Sequence, residues 1–263
     1  MIVFSAIVPH SPLIVPSIGK EHREKLSATL AALAEIEQAL YLAKPDTICI
    51  IAPHGARYPD AFSLNLAQKY TGNFKSFGDF STTIEAKGDF LMIDHLQRLM
   101  REENVPFTLT SSEELDYGFA VPILTLTTHL SGWKLIPVSP SMLDGKAHYE
   151  FGKQLKRILH AEPARVAVIA SADLSHKLSK DSPGGASPEG PKFDEAMVTY
   201  AADNKPEELL KLDFDLVENA GQCGFRPIMT MLGTLDEINV TPKKLCYEAP
   251  FGVGYLTARF DII

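Results

Sequence analysis

The run Ile2-Val3-Phe4-Ser5-Ala6-Ile7-Val8, stopped by Pro9-His10-Ser11-Pro12, sets the reading of the chain. A short, nearly continuous apolar run suits a strand buried on both faces, and the proline pair ends it. In residues 20–42, Leu26, Leu30, Leu33, Ile36, Ala39 and Leu40 recur at helical spacing until Lys44-Pro45-Asp46 breaks the pattern. The apolar run 47–52 then completes a β-α-β unit. The same grammar returns twice: a helical pattern over 90–103 precedes the apolar run 105–109, and one over 148–160 precedes 166–170. Further apolar runs lie at 135–138 and 254–260. The expectation is a single α/β domain over 1–263, an α/β/α sandwich around a mostly parallel or mixed central sheet.

Two stretches depart from this grammar. Residues 65–83 are polar and aromatic with Gly72 and Gly78, and read as an excursion or short hairpin. Residues 180–191 are dense in Pro, Gly and Ser, and read as a long loop of the kind that often covers a functional site.

Composition narrows the function classes. Hydrophobic residues make up 45% and charged residues 22% of the chain, ordinary globular usage, and no run approaches the length of a membrane span. A net charge of −8 with scattered bases offers no footprint for a nucleic-acid backbone. Three cysteines, Cys49, Cys223 and Cys246, match neither a disulfide framework nor a zinc ribbon, which points to a reducing compartment. The first apolar run carries no basic leader, so a cytoplasmic location is expected, and a homo-oligomer is compatible with the chain.

In open α/β sheets the ligand crevice lies outside the carboxyl ends of the strands. Three histidines follow buried runs there: His10 in Val8-Pro9-His10-Ser11, His54 in Ala52-Pro53-His54-Gly55, and His176 in Ser171-Ala172-Asp173-Leu174-Ser175-His176. A proline before the imidazole stiffens the turn that aims it. A lone histidine at such a place is usually a turn residue; three at equivalent strand ends point to a shared cleft. The remaining five, His22, His95, His129, His148 and His160, read as surface or boundary residues. Two imidazoles suit Fe(II), Zn(II) or Mn(II), and a third ligand is then required. Cys223 in Gly221-Gln222-Cys223-Gly224, Glu248 near the last strand, Gln222 and water are the alternatives. Asp173 is placed to orient an imidazole from behind.

With these residues in hand, the chain resembles the LigB-like family of class III extradiol dioxygenases and its MEMO relatives. The match falls best on the dioxygenase-like portion of the AmmeMemoRadiSam system proteins. It is carried by Val8-Pro9-His10-Ser11-Pro12, Pro53-His54, Leu115-Asp116-Tyr117-Gly118 with Val121-Pro122, Ser171-Ala172-Asp173-Leu174-Ser175-His176, Cys223-Gly224 and Phe251-Gly252-Val253-Gly254-Tyr255. The resemblance implies a non-haem Fe(II) site with His10 and His54 as ligands, His176 as acid/base, and a small catechol or aminophenol cleaved with O₂. Two positions depart from the ring-cleaving pattern. Gln222-Cys223 stands where those members typically carry a ligating glutamate, and Cys223 aligns with a cysteine that binds metal in the MEMO branch. Tyr117 stands where many members carry histidine, as in some aminophenol-cleaving relatives. The expected set is therefore His10, His54 and Cys223 on the metal, with His176 and Tyr117 facing substrate. The competing readings are a MEMO-like metal-binding or redox protein without ring cleavage and, less favoured, a zinc-dependent hydrolase.

Overall fold

The computed structural model describes residues 1–263, and its elements alternate as the hydrophobic runs predict. In chain order they are β1 (Ile2–Val8), α1 (Pro16–Gly19), α2 (Ser27–Ala43), β2 (Thr47–Ile51), β3 (Phe62–Asn65), β4 (Lys69–Phe74), β5 (Asp79–Lys87), α3 (Phe90–Glu102), β6 (Phe107–Thr110) and β7 (Glu114–Leu115). Then follow α4 (Tyr117–Leu126), β8 (Lys134–Ser139), α5 (Gly145–Ala161), β9 (Val166–Ser171), α6 (Glu189–Ala196), α7 (Pro206–Leu209), α8 (Phe214–Asn219), α9 (Phe225–Gly233), β10 (Val240–Glu248) and β11 (Tyr255–Ile262). Eight strands form one mixed sheet in the order β10-β11-β1-β9-β2-β8-β3-β6. The pairs β1–β9, β9–β2, β2–β8 and β3–β6 are parallel, and the others antiparallel.

The central strands are buried on both faces, and their side chains alternate between two cores. Cys49, Ile51, Val168 and Ala170 pack with residues of α3, α5, α6 and α9. Ile48, Ile50, Ala167 and Ile169 point the other way, toward α2, α4 and a second sheet of order β5-β4-β7. That small sheet is the excursion expected at 65–83: β4 and β5 form a hairpin, and Gly78 (φ 83°) supplies the left-handed backbone its turn requires. No helix is long and apolar enough to cross a membrane.

Three observations refine the sequence reading. The β1-α2-β2 unit is not a pair of neighbours, because β9 inserts between its strands. Residues 180–191, expected as a long loop, fold back on the segment after β9. Ser187 N–H bonds to Lys177 O, Gly184 N–H to His176 O, and Leu178 N–H to Gly252 O, which ties the loop down at both ends. His148, expected at the surface or boundary, is fully buried against Phe62, with its Nδ1 on Asp144 O at 2.7 Å.

The sheet order positions the cleft. Register pairs Val8 with Ser171 and Ile51 with Ala170, so β1, β9 and β2 end side by side at their carboxyl edges. His10, Asp173 and His54 each lie two or three residues beyond those ends and emerge into one crevice.

Candidate metal centre

His10 sits at the bottom of the crevice, 1% exposed. Its backbone N–H donates to Asp173 Oδ1 at 2.9 Å, and its ring Nδ1 lies 3.0 Å from Ser171 Oγ. These two contacts, both from β9 and the loop after it, turn Nε2 outward. There it meets His54 Nε2 at 3.2 Å and Cys223 Sγ at 3.5 Å.

His54 leaves β2 through Pro53 and stacks on the Tyr117 ring, centroids 4.8 Å apart and planes 25° apart. The Tyr117 hydroxyl stands 2.9 Å from His54 Nε2. Tyr117 opens α4, whose first turn is capped by Asp116 accepting from Gly118 N–H at 2.7 Å.

Cys223 and His176 are brought in by a pair of loops. His176 N–H bonds to Gly221 O, and Ser175 bridges to Gln222, so the segment after β9 and the segment before α9 run together. Gly224 makes this approach feasible, because a Cβ there would meet the Asp173 carbonyl oxygen at 2.7 Å. Cys223 Sγ lies 3.5 Å from Asp173 O and 3.8 Å from His176 Nε2.

The other third-ligand candidates are occupied elsewhere. Gln222 Oε1 accepts from Phe225 N–H at 2.8 Å and caps α9. Glu248 Oε1 accepts from Thr29 N–H at 2.8 Å, at the start of α2. Asp173 holds the His10 backbone, and its second oxygen is 3.9 Å from His10 Nε2.

Burial governs the electrostatics. It depresses His10 to about 3, helped by the neighbouring His176. His54 is also lowered to about 3, by burial first and then by His10, Arg57 and His176. Both imidazoles are therefore neutral at pH 7, with lone pairs available to a cation. Asp173 is pushed up to about 6, and Asp116 likewise, in both cases by burial. Burial, and then Asp173, raise the Cys223 thiol. A cation would have to displace that proton. The Tyr117 phenol is raised by burial and then by Asp116, so it acts as a hydrogen-bond donor and not as a base.

The ligand set can be tested against bond lengths. Nitrogens about 2.0 to 2.1 Å and sulfur about 2.3 Å from one tetrahedral ion stand roughly 3.3 Å (N to N) and 3.5 Å (N to S) apart. The two pairs that involve His10, at 3.2 Å and 3.5 Å, match those spacings, while His54 Nε2 and Cys223 Sγ, within 4.8 Å of each other, would have to draw together around one ion. His10, His54 and Cys223 have their ligand atoms within 4.8 Å of one another. All five residues singled out from the sequence thus share this crevice. Ser171 was missed, since a serine closing an apolar strand carries no signal of its own. So was Asp194, a buried carboxylate that accepts from Ser175 N–H and Tyr247 hydroxyl and steadies the His176 loop.

Beside the crevice a cavity of about 440 Å³ is lined by His54, Asn65, Ser112, Glu114, Asp116 and Ser139, among others. Phe77 closes the site edge-on against Tyr117, centroids 5.1 Å apart.

Comparison with known proteins places this geometry in context. A family model described as the catalytic LigB subunit of aromatic ring-opening dioxygenase matches residues 5–258. Protein CA_C1420 of Clostridium acetobutylicum is 30% identical over 97% of this chain and 56% of its own length. MEMO1 family proteins from Methanococcus maripaludis strain C6 (23% identical, 69% of this chain, 57% of that protein) and Methanococcoides burtonii (24%, 92% and 78%) are similar too. The chain spans little more than half the length of the first two relatives. The crystal structure of the uncharacterized protein JW3007 from Escherichia coli K12 superposes with a TM-score of 0.66 at 15% identity, over 98% of this chain and 99% of that one. That likeness shows the fold alone.

Proposed function

The chain belongs to the LigB family, and from that premise we propose that it is a metal-dependent, dioxygenase-like oxidoreductase acting on a small catechol or aminophenol, read as one LigB-like domain over 1–263. The observation that carries the reading is the spacing of His10 Nε2, His54 Nε2 and Cys223 Sγ, which suits a single first-row ion with coordination positions left for substrate. Fe(II) is the favoured ion; Zn(II) and Mn(II) are accommodated by the same donors. When bound, Fe(II) supplies the electron relay by which O₂ attacks a chelated diol or aminophenol next to its heteroatoms.

The chain's own residues do the rest. His10 and His54 present neutral nitrogens. His176, whose Nε2 is 3.8 Å from Cys223 Sγ and which is not part of the three-residue ligand cluster, takes the proton from the substrate hydroxyl. With His54 Nε2 on the ion, the Tyr117 hydroxyl that stands 2.9 Å from that nitrogen is left to donate to substrate, and Phe77 and Tyr117 present aromatic surfaces along which a flat ring can lie.

One observation favours a second reading, a MEMO-like metal-binding or redox protein without ring cleavage. The carboxylate ligand of ring-cleaving relatives has no counterpart here, since Gln222 caps α9 and the third donor is a thiol. A thiolate draws softer ions and is open to oxidation. Metal analysis of anaerobically purified protein, followed by O₂ uptake with a panel of catechols and aminophenols, separates the two. Bound iron with substrate-dependent O₂ consumption supports the oxygenase; bound metal without uptake across the panel supports the MEMO-like alternative.

A further inference from the structure

Gly118 occupies the second position of α4. In a regular helix its carbonyl would accept from the N–H four residues on, but that residue is Pro122, which has none. Ser171, fully buried at the end of β9, fills the gap by donating its hydroxyl to Gly118 O at 2.5 Å. A hydroxyl carries one hydrogen. With that hydrogen engaged, Ser171 Oγ can only accept from the His10 Nδ1 that lies 3.0 Å away. We propose that this relay, from Pro122 through the Gly118 carbonyl and the Ser171 hydroxyl, fixes His10 as its Nδ1–H tautomer and so makes Ser171 the positioning residue of the metal centre.

The neighbours on the other side of the ring do not decide the tautomer. Asp173 Oδ2, at 3.9 Å, is too far to hold a proton on Nε2, and His54 Nε2, at 3.2 Å, and Cys223 Sγ, at 3.5 Å, can each either give or take one. The Ser171 contact alone is directional. Its effect is to leave a bare Nε2 lone pair aimed at His54 and Cys223 before any ion arrives. Without it, Nε2–H becomes accessible, and that proton would have to leave on metal binding. The tautomer is a property of the metal-free chain; only its consequence for affinity rests on the metal reading.

The test uses metal-free protein labelled with ¹⁵N-histidine at neutral pH. Two-bond ¹⁵N–¹H correlation should find His10 protonated on Nδ1 and bare on Nε2. Ser171→Ala should shift the population toward Nε2–H and weaken zinc binding by about 10- to 100-fold, and Ser171→Thr, which keeps the hydroxyl, should restore both. Pro122→Ala returns an N–H to Gly118 and should move the tautomer part of the way with every side chain of the site in place. Wild-type His10 protonated on Nε2, or a tautomer unmoved by Ser171→Ala, overturns the relay. Should Ser171→Ala fail to fold, an unmoved tautomer in Pro122→Ala overturns it as well. Wild-type protein that shows the Nδ1–H form yet binds no zinc leaves the relay standing and overturns the metal reading.

Discussion

The two halves of the crevice are built differently. On the β1–β9 side, His10 is almost wholly enclosed and held at its backbone by Asp173 and at its ring by Ser171. On the β2–α4 side, His54 is half-buried, held by stacking on Tyr117, and borders an open cavity. Hydrogen bonds from buried, directional groups fix a ring more narrowly than stacking does. On the proposed metal reading, the first half would hold its ligand rigidly, and the second, where His54 completes the ligand set beside an open cavity, would leave room for substrate.

The largest effect that can break this comparison is loss of metal. His10→Ala and His54→Ala should each abolish stoichiometric binding, read by elemental analysis, but their stability costs should differ. Removing the buried, bonded His10 leaves partners unsatisfied and should cost about 1–3 kcal/mol. Removing His54 should cost under about 1 kcal/mol. Equal losses in thermal unfolding would remove the distinction. Next in size is His176→Ala, which should keep its metal while turnover on a responsive catechol or aminophenol falls by roughly 10²- to 10⁴-fold. If metal content drops with it, His176 belongs to the ligand set.

The convergence of the three histidine loops was legible because each follows a buried apolar run, and strand ends are where such a fold opens its crevice. The long β-α-β units were legible for the same reason. What escaped depends on sheet order. Ser171 reaches His10 and Gly118 only because β9 inserts between β1 and β2, and nothing local to positions 10, 118 or 171 announces that neighbour. The helix α4 was hidden by its internal Pro122, and β10 by an alternation too exposed to read as a buried strand. His148 looked like a surface histidine because it lies in a polar amphipathic helix, yet it falls on the inward face.

That buried histidine yields a pH prediction outside both halves. Burial depresses His148 to about 4, and its Nε2 has no partner. As pH falls below about 6.5 the unfolded chain takes up the proton first, so stability is lost from there down to about 4. The contribution is at most about 3.5 kcal/mol, at roughly 1.4 kcal/mol per pKa unit. His10 and His54 act in the same direction and over a wider range. The half-buried Asp116 and the buried Asp173 and Asp194, all pushed up to about 6, act oppositely, because the folded state takes up their protons first. His148→Leu should therefore flatten the loss measured by denaturant titration between pH 6.5 and 4. An unchanged slope would mean that His148 is hydrated or paired in solution.

The smallest effect concerns Glu248, the carboxylate that sequence alone left in competition with Cys223. Its Oε1 accepts from Thr29 N–H, third residue of α2, so β10 lends a negative charge to a helix N-terminus. If that is its whole role, Glu248→Gln keeps an acceptor and loses only the charge, and should cost about 0.3–1 kcal/mol, most visible at low salt. Bound metal should be unaffected, whereas Cys223→Ser should weaken retention of soft ions and remove the sensitivity of the site to peroxide. The two variants assayed together for zinc and iron content sharpen the comparison of the half-sites. A fall in metal with Glu248→Gln would bring a third, carboxylate-bearing wall into the centre, and the assignment of ion-holding to the β1–β9 side would have to be redrawn.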